Sequence, residues 1–160
     1  MVKKADWIWM DGKFVHWDDA NVHILTHSLH YGLAVFEGIR CYKTDDGRSA
    51  VWQLKGHIRR LFESAHILAM KVPFGRDEIT RACLDLLRKN GQREGYLRPL
   101  IYLGAGAMGV FPADNPVRVS IASWPWGAYL GDDALKKGIR AKVSSITRMS
   151  VAAFMTKAKA

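Results

Sequence analysis

Two amphipathic stretches follow one another with no strand pattern between them. Ile58, Leu61, Phe62, Ala65 and Leu68 recur at helical spacing and predict a helix over about 56–69. Ile79, Ala82, Cys83, Leu86 and Leu87 predict a second over about 77–90, with Asn90-Gly91 as its stop signal. Strand patterns lie on both sides of this pair. Trp7–Met10 and Lys13–Trp17 flank Asp11-Gly12, the dipeptide that a two-residue type I′ hairpin turn prefers. Val35–Tyr42 reads as a strand that Asp45-Asp46-Gly47 turns back into Ala50–Gln53. Gly95–Leu103 is another, although Pro99 lacks a ladder donor and predicts an edge position or a bulge. Val117–Trp124 alternates apolar and polar residues. Helices in succession, grouped between runs of strands, exclude a strictly alternating parallel sheet and indicate the α+β class.

Pro125-Trp126-Gly127 breaks the last of these strands, and the charge composition changes soon after. Residues 1–124 are therefore expected to form one small domain, 125–137 a linker, and 138–160 the start of a second domain. That start is read as a strand over Ile139–Ser145 followed by a helix-favouring stretch. The 160 residues, 49% of them apolar, can bury a core without disulfides or metal staples. No apolar run approaches the length of a membrane span, and the first residues lack the pattern of a signal peptide. Cys41 and Cys83 form no CxxC pair, so they read as buried thiols of a protein kept in a reducing cytoplasm. The formal charge is +9, and residues 136–160 hold seven Lys or Arg and no acid. Such a block suits nucleic acid or an acidic membrane surface, or a segment separated from its counter-charges.

Several residue groups carry possible chemistry. His23, His27 and His30 have a spacing that some zinc sites use, but no Cys, Asp or Glu lies among them, and packed or hydrogen-bonded imidazoles near a turn are the plainer reading. Gly104, Gly106 and Gly109 match G-x-G-x-x-G, yet no clear helix pattern follows, so dinucleotide binding is not indicated. Arg60 lies on the first helix, where its planar fork could meet a phosphate or simply face solvent beside Arg59. Phe36, Gly38 and Arg40 share one strand face, and Tyr96, Arg98 and Tyr102 share another. Two arginines among aromatic rings suit a carboxylate ligand, and equally suit ion pairs on a sheet surface. Lys157 and Lys159 close the sequence, and a lysine that acts as a nucleophile must first lose its proton.

Five separated motifs resolve these alternatives by resemblance. Tyr31-Gly-Leu-Ala-Val-Phe-Glu-Gly-Ile-Arg-Cys-Tyr42 resembles the signature of branched-chain-amino-acid aminotransferases, pyridoxal-phosphate enzymes of fold type IV. His57-Ile-Arg-Arg-Leu61 with Ser64-Ala65 is similar to that family's phosphate-arginine helix. Tyr96-Leu-Arg-Pro-Leu100 with Met108-Gly-Val110, Trp124 to Gly131, and Thr156-Lys-Ala-Lys-Ala160 fit in the family's order. The resemblance implies a small N-terminal domain with an antiparallel-rich sheet and two helices, plus the first elements of the cofactor-binding domain.

It also implies roles. Lys159 matches the catalytic Schiff-base lysine that holds pyridoxal 5′-phosphate, and Arg60 the arginine that binds the cofactor phosphate. Tyr31, Phe36, Gly38, Tyr96, Met108, Val110, Trp126 and Tyr129 match positions around the substrate. Arg98 matches a residue that meets the distal carboxylate of glutamate, with Arg40 in support. The implied reaction moves an amino group between leucine, isoleucine or valine and 2-oxoglutarate in a cytoplasmic homodimer or larger homo-oligomer, with Tyr31 and the Met108–Val110 loop serving a partner subunit's site. No metal, nucleic-acid or membrane partner is implied. Members of the family continue well past the lysine, through a nearby tyrosine, an acid opposite the pyridine nitrogen and further phosphate-binding loops. The 160 residues are therefore expected to be the N-terminal portion of such an enzyme and inactive alone. Two other readings remain, a non-catalytic binding or oligomerisation module and another fold type IV enzyme, a D-amino-acid transaminase or aminodeoxychorismate lyase. The motifs Phe36–Arg40 and Tyr96–Arg98 favour the branched-chain enzyme over those two.

Overall fold

In the structure, a computed structural model that describes residues 2–112, 114–126 and 132–160, every strand pairing is antiparallel. Strands β1 (Trp7–Met10) and β2 (Lys13–His16) form the expected hairpin, with Asp11 and Gly12 at φ 46° and 89° in its turn. A short helix α1 (His27–Tyr31) precedes β3 (Ala34–Phe36), β4 (Ile39–Lys43) and β5 (Ser49–Val51). Helices α2 (Leu54–Ile67) and α3 (Arg76–Lys89) come next, then β6 (Gly95–Leu103), β7 (Val117–Trp124) and a short α4 (Asp132–Lys137). The sheet runs β2-β1-β7-β6-β4-β5, with β3 also paired to β6.

Alternation along the strands assigns the two faces. Trp9, Val35, Ile39, Cys41, Leu97, Ile101, Val119 and Ile121 point to one side and are buried against Ile58, Leu61, Ala65, Ile79, Cys83 and Leu86 of the two helices. Both cysteines are buried, and burial pushes the Cys83 thiol up to about 12. The helices thus cover one face of the sheet only, and the open face is left to present Arg40, Tyr96, Arg98 and Trp124. At the C-terminal cap of α3, Asn90 ties the helix to the sheet. Its Oδ1 accepts from Trp7 N at 2.9 Å, and its Nδ2 donates to Trp7 O at 3.0 Å and Ser123 Oγ at 2.9 Å.

Three expectations need correction. Val35–Tyr42 is not one strand, because pairing lapses at Glu37-Gly38 between β3 and β4. Nor does Pro99 lie on an edge, since β6 is central, with β7 on one side and β3 and β4 on the other. The two departures have one cause. Phe36 pairs with Leu100 and Ile39 with Leu97, so the register carries straight across the break and sets Glu37 opposite Pro99. Glu37 N donates to Pro99 O at 3.0 Å, but Pro99 has no N–H to return the bond. The proline is tolerated inside the sheet because its missing donor defines the gap. Third, residues 139–145 form no strand and 146–160 no helix. A strand needs a ladder partner, and no described strand pairs with this segment. The expected 125–137 linker contains α4, and its residues 127–131 lie outside the described part.

Candidate active site

The open face gathers the aromatic and cationic candidates. Arg40, Tyr96 and Trp124 stand side by side across β4, β6 and β7 in one row of the register. The Tyr96 ring packs edge-on against Trp126 at 4.5 Å and lies 5.2 Å from Trp124. Gly38 is required here by close approach, since a Cβ at that position would fall 1.8 Å from the Tyr96 hydroxyl. Arg98 is boxed by rings, its Cζ 4.8 Å from the centroid of Phe36, 5.3 Å from Tyr96 and 5.9 Å from Trp124. Its Nη2 donates a long bond of 3.4 Å to the Tyr96 hydroxyl, and its buried Nε has no hydrogen-bond partner among the described residues. The guanidinium therefore retains donor capacity that a carboxylate could use. Arg40 lies 5.4 Å from the ring of Tyr42.

Lys159 joins this cluster through its backbone. Its carbonyl accepts from Phe36 N at 3.1 Å, and its amide donates to Ser64 Oγ at 3.0 Å. The amine lies 5.0 Å from the Phe36 ring centroid. Ser64 is on α2 one turn beyond Arg60, so the segment that carries the lysine is anchored on the helix that carries the arginine. The structure thereby brings Phe36, Gly38, Tyr96, Arg98, Trp126 and Lys159 to one region, flanked by Arg40 and by the α2 residues Arg60 and Ser64.

Arg60 has an unexpected partner. Its Nε donates to Glu37 Oε1 at 2.5 Å and its Nη2 to Oε2 at 2.6 Å, a fork-on-fork pair, and His57 Nδ1 donates to Oε2 at 2.8 Å. Glu37 is fully buried, whereas the Arg60 side chain is 51% exposed. Burial alone would raise the Glu37 carboxyl, but the hydrogen bonds and charges of Arg60 and His57 outweigh it and hold the group below the usual carboxylate range. The same bond to Glu37 raises Arg60. In the sequence Glu37 stands out only as one letter of a motif. A signal is nonetheless present: Val35, Glu37, Ile39 and Cys41 alternate on the core face, and a carboxylate at a core position requires cations. Arg60 supplies one, and His57, three positions before it on α2, adds a hydrogen-bond donor.

Tyr31, Met108 and Val110 form a separate group. The Tyr31 hydroxyl donates to Met108 O at 2.9 Å, and its ring stacks on His27 at 4.5 Å. No hydrogen bond, ion pair or ring contact links this group to Arg98, Tyr96 or Lys159 among the described residues. Val110 is 83% exposed. Tyr129 lies outside the described residues. The histidines bond to backbone. His27 Nε2 donates to Gly109 O at 3.0 Å and His30 Nε2 to Ile24 O at 2.9 Å, while His23 Nδ1 accepts from Leu25 N at 3.1 Å. Among the described residues no three His, Cys, Asp or Glu side chains gather as a metal site. The glycine-rich loop is held instead by Asn115, whose amide bonds Ala107 N and Ala107 O at 2.8 and 3.0 Å. An apolar cavity of about 330 Å³ lies at the other end of the open face, lined by residues such as Ile8, Val22, Leu29 and Leu100. Tyr102 lines it, which separates that tyrosine from Tyr96 and Arg98, and none of the residues gathered around Lys159 does.

Comparison with known proteins identifies the family. The amino-transferase class IV family model matches residues 34–160. The branched-chain-amino-acid aminotransferase of Escherichia coli strain K12 is 48% identical over 159 residues, 99% of this chain and 51% of that protein. Its counterpart in Pseudomonas aeruginosa is 47% identical over 152 residues, 95% of this chain and 49% of that protein. A crystal structure of the Escherichia coli enzyme superposes with a TM-score of 0.87 at 48% identity, over 92% of this chain and 48% of that one. A branched-chain aminotransferase from the thermophilic archaeon Thermoproteus uzoniensis, crystallised with norvaline, superposes with a TM-score of 0.88 at 34% identity, over 98% and 52%. The chain spans about half the length of the curated relatives it matches. No described helix is long and apolar enough to cross a membrane. An α+β sheet of this topology, the five ordered motifs and the family match over residues 34–160 together place the chain in the class IV amino-transferase family, aligned with the N-terminal half of its branched-chain members.

Proposed function

We propose that these residues form the substrate-facing small domain and the lysine segment of an aminotransferase that moves amino groups between leucine, isoleucine or valine and 2-oxoglutarate. The observation that carries the reading is the docking of the Lys159 backbone between Phe36 and Ser64, which sets the lysine amine beside the Phe36 ring and ties its segment to the helix that carries Arg60. The donor set suits pyridoxal 5′-phosphate, an aldehyde and a phosphate monoester on one ring. Lys159 offers the amine, and the Nη1 edge of Arg60 makes no hydrogen bond among the described residues. Another solved branched-chain amino acid aminotransferase, similar to this chain at 42% identity with a TM-score of 0.88, has been captured with N-(5′-phosphopyridoxyl)-L-glutamate, which is in keeping with this choice. When bound, the cofactor supplies the electron sink that makes the substrate Cα–H acidic.

The chain's own residues then divide the work. Lys159 holds the cofactor through its amine and, once displaced, moves the proton at the substrate Cα. Arg60 holds the phosphate. Phe36, Tyr96 and Trp126 wall the side-chain pocket with apolar surface, and Gly38 leaves room for the Tyr96 hydroxyl. Arg98, with Arg40 near it, meets the distal carboxylate when glutamate is the donor, so one pocket accepts both an aliphatic and an acidic side chain. Tyr31, Met108 and Val110, set apart from this cluster, serve the site of a second copy in a homo-oligomer. Residues 1–124 act as the small domain, 125–137 as the linker and 138–160 as the entry to the cofactor domain of a cytoplasmic enzyme. The test is amino transfer to 2-oxoglutarate by the longer protein that carries these residues. Leucine, isoleucine and valine are expected to be donors. Transfer from D-alanine alone would show that the substrate class is wrong.

A further inference from the structure

The Glu37–Arg60 pair has a geometry that simple charge neutralisation does not need. Glu37 sits at the gap in the β3–β4 line, its backbone fixed by the bond from its amide to Pro99 O. Its carboxylate is fully buried, and both oxygens are used, one by Arg60 Nε and the other by Arg60 Nη2 and His57 Nδ1. The arginine is half exposed. One edge of the guanidinium is therefore fastened to the core and the opposite edge faces outward. A cleft lined by Gln53, Gly56, His57, Arg59, Arg60 and Glu63 opens beside it. An unpaired arginine on a helix surface samples many rotamers, and holding one plane costs conformational entropy at the moment of binding. A carboxylate at this distance also weakens the local positive potential, which acts against an anion. Such an arrangement favours anion binding only if the gain is orientation.

We propose that Glu37 is a positioning residue for phosphate recognition, clamping the Nε–Nη2 edge of Arg60 so that the Nη1 edge is presented to the phosphate monoester of the cofactor. This rests on the functional reading above, in which Arg60 and Lys159 hold the same molecule. His57 completes the clamp by occupying Oε2, and Pro99 fixes where the carboxylate begins.

The experiment treats the 160-residue chain with pyridoxal 5′-phosphate or with pyridoxal, traps attachment by borohydride and maps the modified lysines by peptide mass. The readout is the phosphate preference at Lys159, taken relative to the exposed Lys3 and Lys71 of the same sample. With each variant shown to be folded under the labelling conditions, a side chain that only stabilises the fold does not move this ratio. The native chain is expected to prefer pyridoxal 5′-phosphate at Lys159 by about tenfold, as a charge-assisted bidentate contact implies. Arg60→Ala abolishes the preference, Glu37→Gln lowers it several-fold, and Glu37→Asp, which keeps the charge, restores part of it. A preference in Glu37→Gln equal to or above the native one, with Arg60→Ala still deficient, overturns the role of Glu37 and leaves the functional reading standing. No preference in the native chain, unchanged by Arg60→Ala, overturns both. Should Glu37→Gln not fold, the native chain still decides. The Arg60 Nε proton is expected to exchange with water much more slowly than that of a free arginine, and exchange at the free rate overturns the clamp.

Discussion

At position 38 the side chain is absent because the Tyr96 hydroxyl fills its space. Alanine there sets a Cβ 1.8 Å from that oxygen, and the ring must leave its place against Trp126 and Trp124. Gly38→Ala is expected to cost about 1–3 kcal/mol and to change the near-ultraviolet circular dichroism of the tryptophans, both read in one thermal melt. Glu37 makes a second prediction at this scale. Its carboxyl titrates lower in the folded chain than in the unfolded one, so its contribution is present above about pH 4.5, the ordinary value, and is lost as pH falls through the folded value. The native chain should lose melting temperature below pH 4.5 more steeply than Glu37→Gln, which at neutral pH is expected to be about 2 kcal/mol less stable because His57 and Arg60 lose their buried anionic acceptor. Parallel acid limbs in the two proteins would refute this. Phe36, Gly38, Arg40, Tyr96 and Arg98 were legible because strand alternation reads directly as a shared face. The Glu37–Arg60 pair was not, because it joins the break between β3 and β4 to a helix across 23 positions, and periodicity is blind to such contacts.

The elements themselves were legible for a related reason. Both long helices and most strands carry their own turn and stop signals, as at Asp11-Gly12 and Asn90-Gly91, where φ is positive at Gly12 and Gly91. What local signals do not contain is neighbourhood. Pro99 reads as marking an edge or a bulge, yet β6 is central, and the proline is accommodated because the partner strand has its own break opposite it. Residues 139–145 carry strand-like composition with no described strand to pair with. Asn90 shows the same limit from the other side. The helix stop is predictable, but not that its amide serves as a short rung between β1 and β7. Asn90→Ala removes three hydrogen bonds in a part-buried place and is expected to cost about 1–3 kcal/mol. Chemical denaturation should show the change in midpoint, with the slope unchanged if the sheet stays whole.

Over the whole molecule, one face of the sheet is buried by α2 and α3 and the other carries the chemistry, with Lys159 brought back to it from the end of the sequence. The basic block now has a different meaning. Arg140, Lys142, Arg148 and Lys157 are exposed along a segment with no regular element, while Lys159 is drawn in against Phe36 and Ser64. The block has neither a recognition helix nor a stacking platform, so duplex DNA is expected to bind weakly and to dissociate by about 0.2 M salt. Sequence-selective binding that survives such salt, measured by anisotropy, would contradict this. The central claim concerns the other lysine. Adding pyridoxal 5′-phosphate to the chain and following the absorbance of its covalent attachment to a lysine amine tests it most directly, with Lys159→Ala and Lys157→Ala compared. The docking of Lys159 predicts a saturable signal in the native chain and in Lys157→Ala that is lost in Lys159→Ala; an undiminished signal in Lys159→Ala would contradict it.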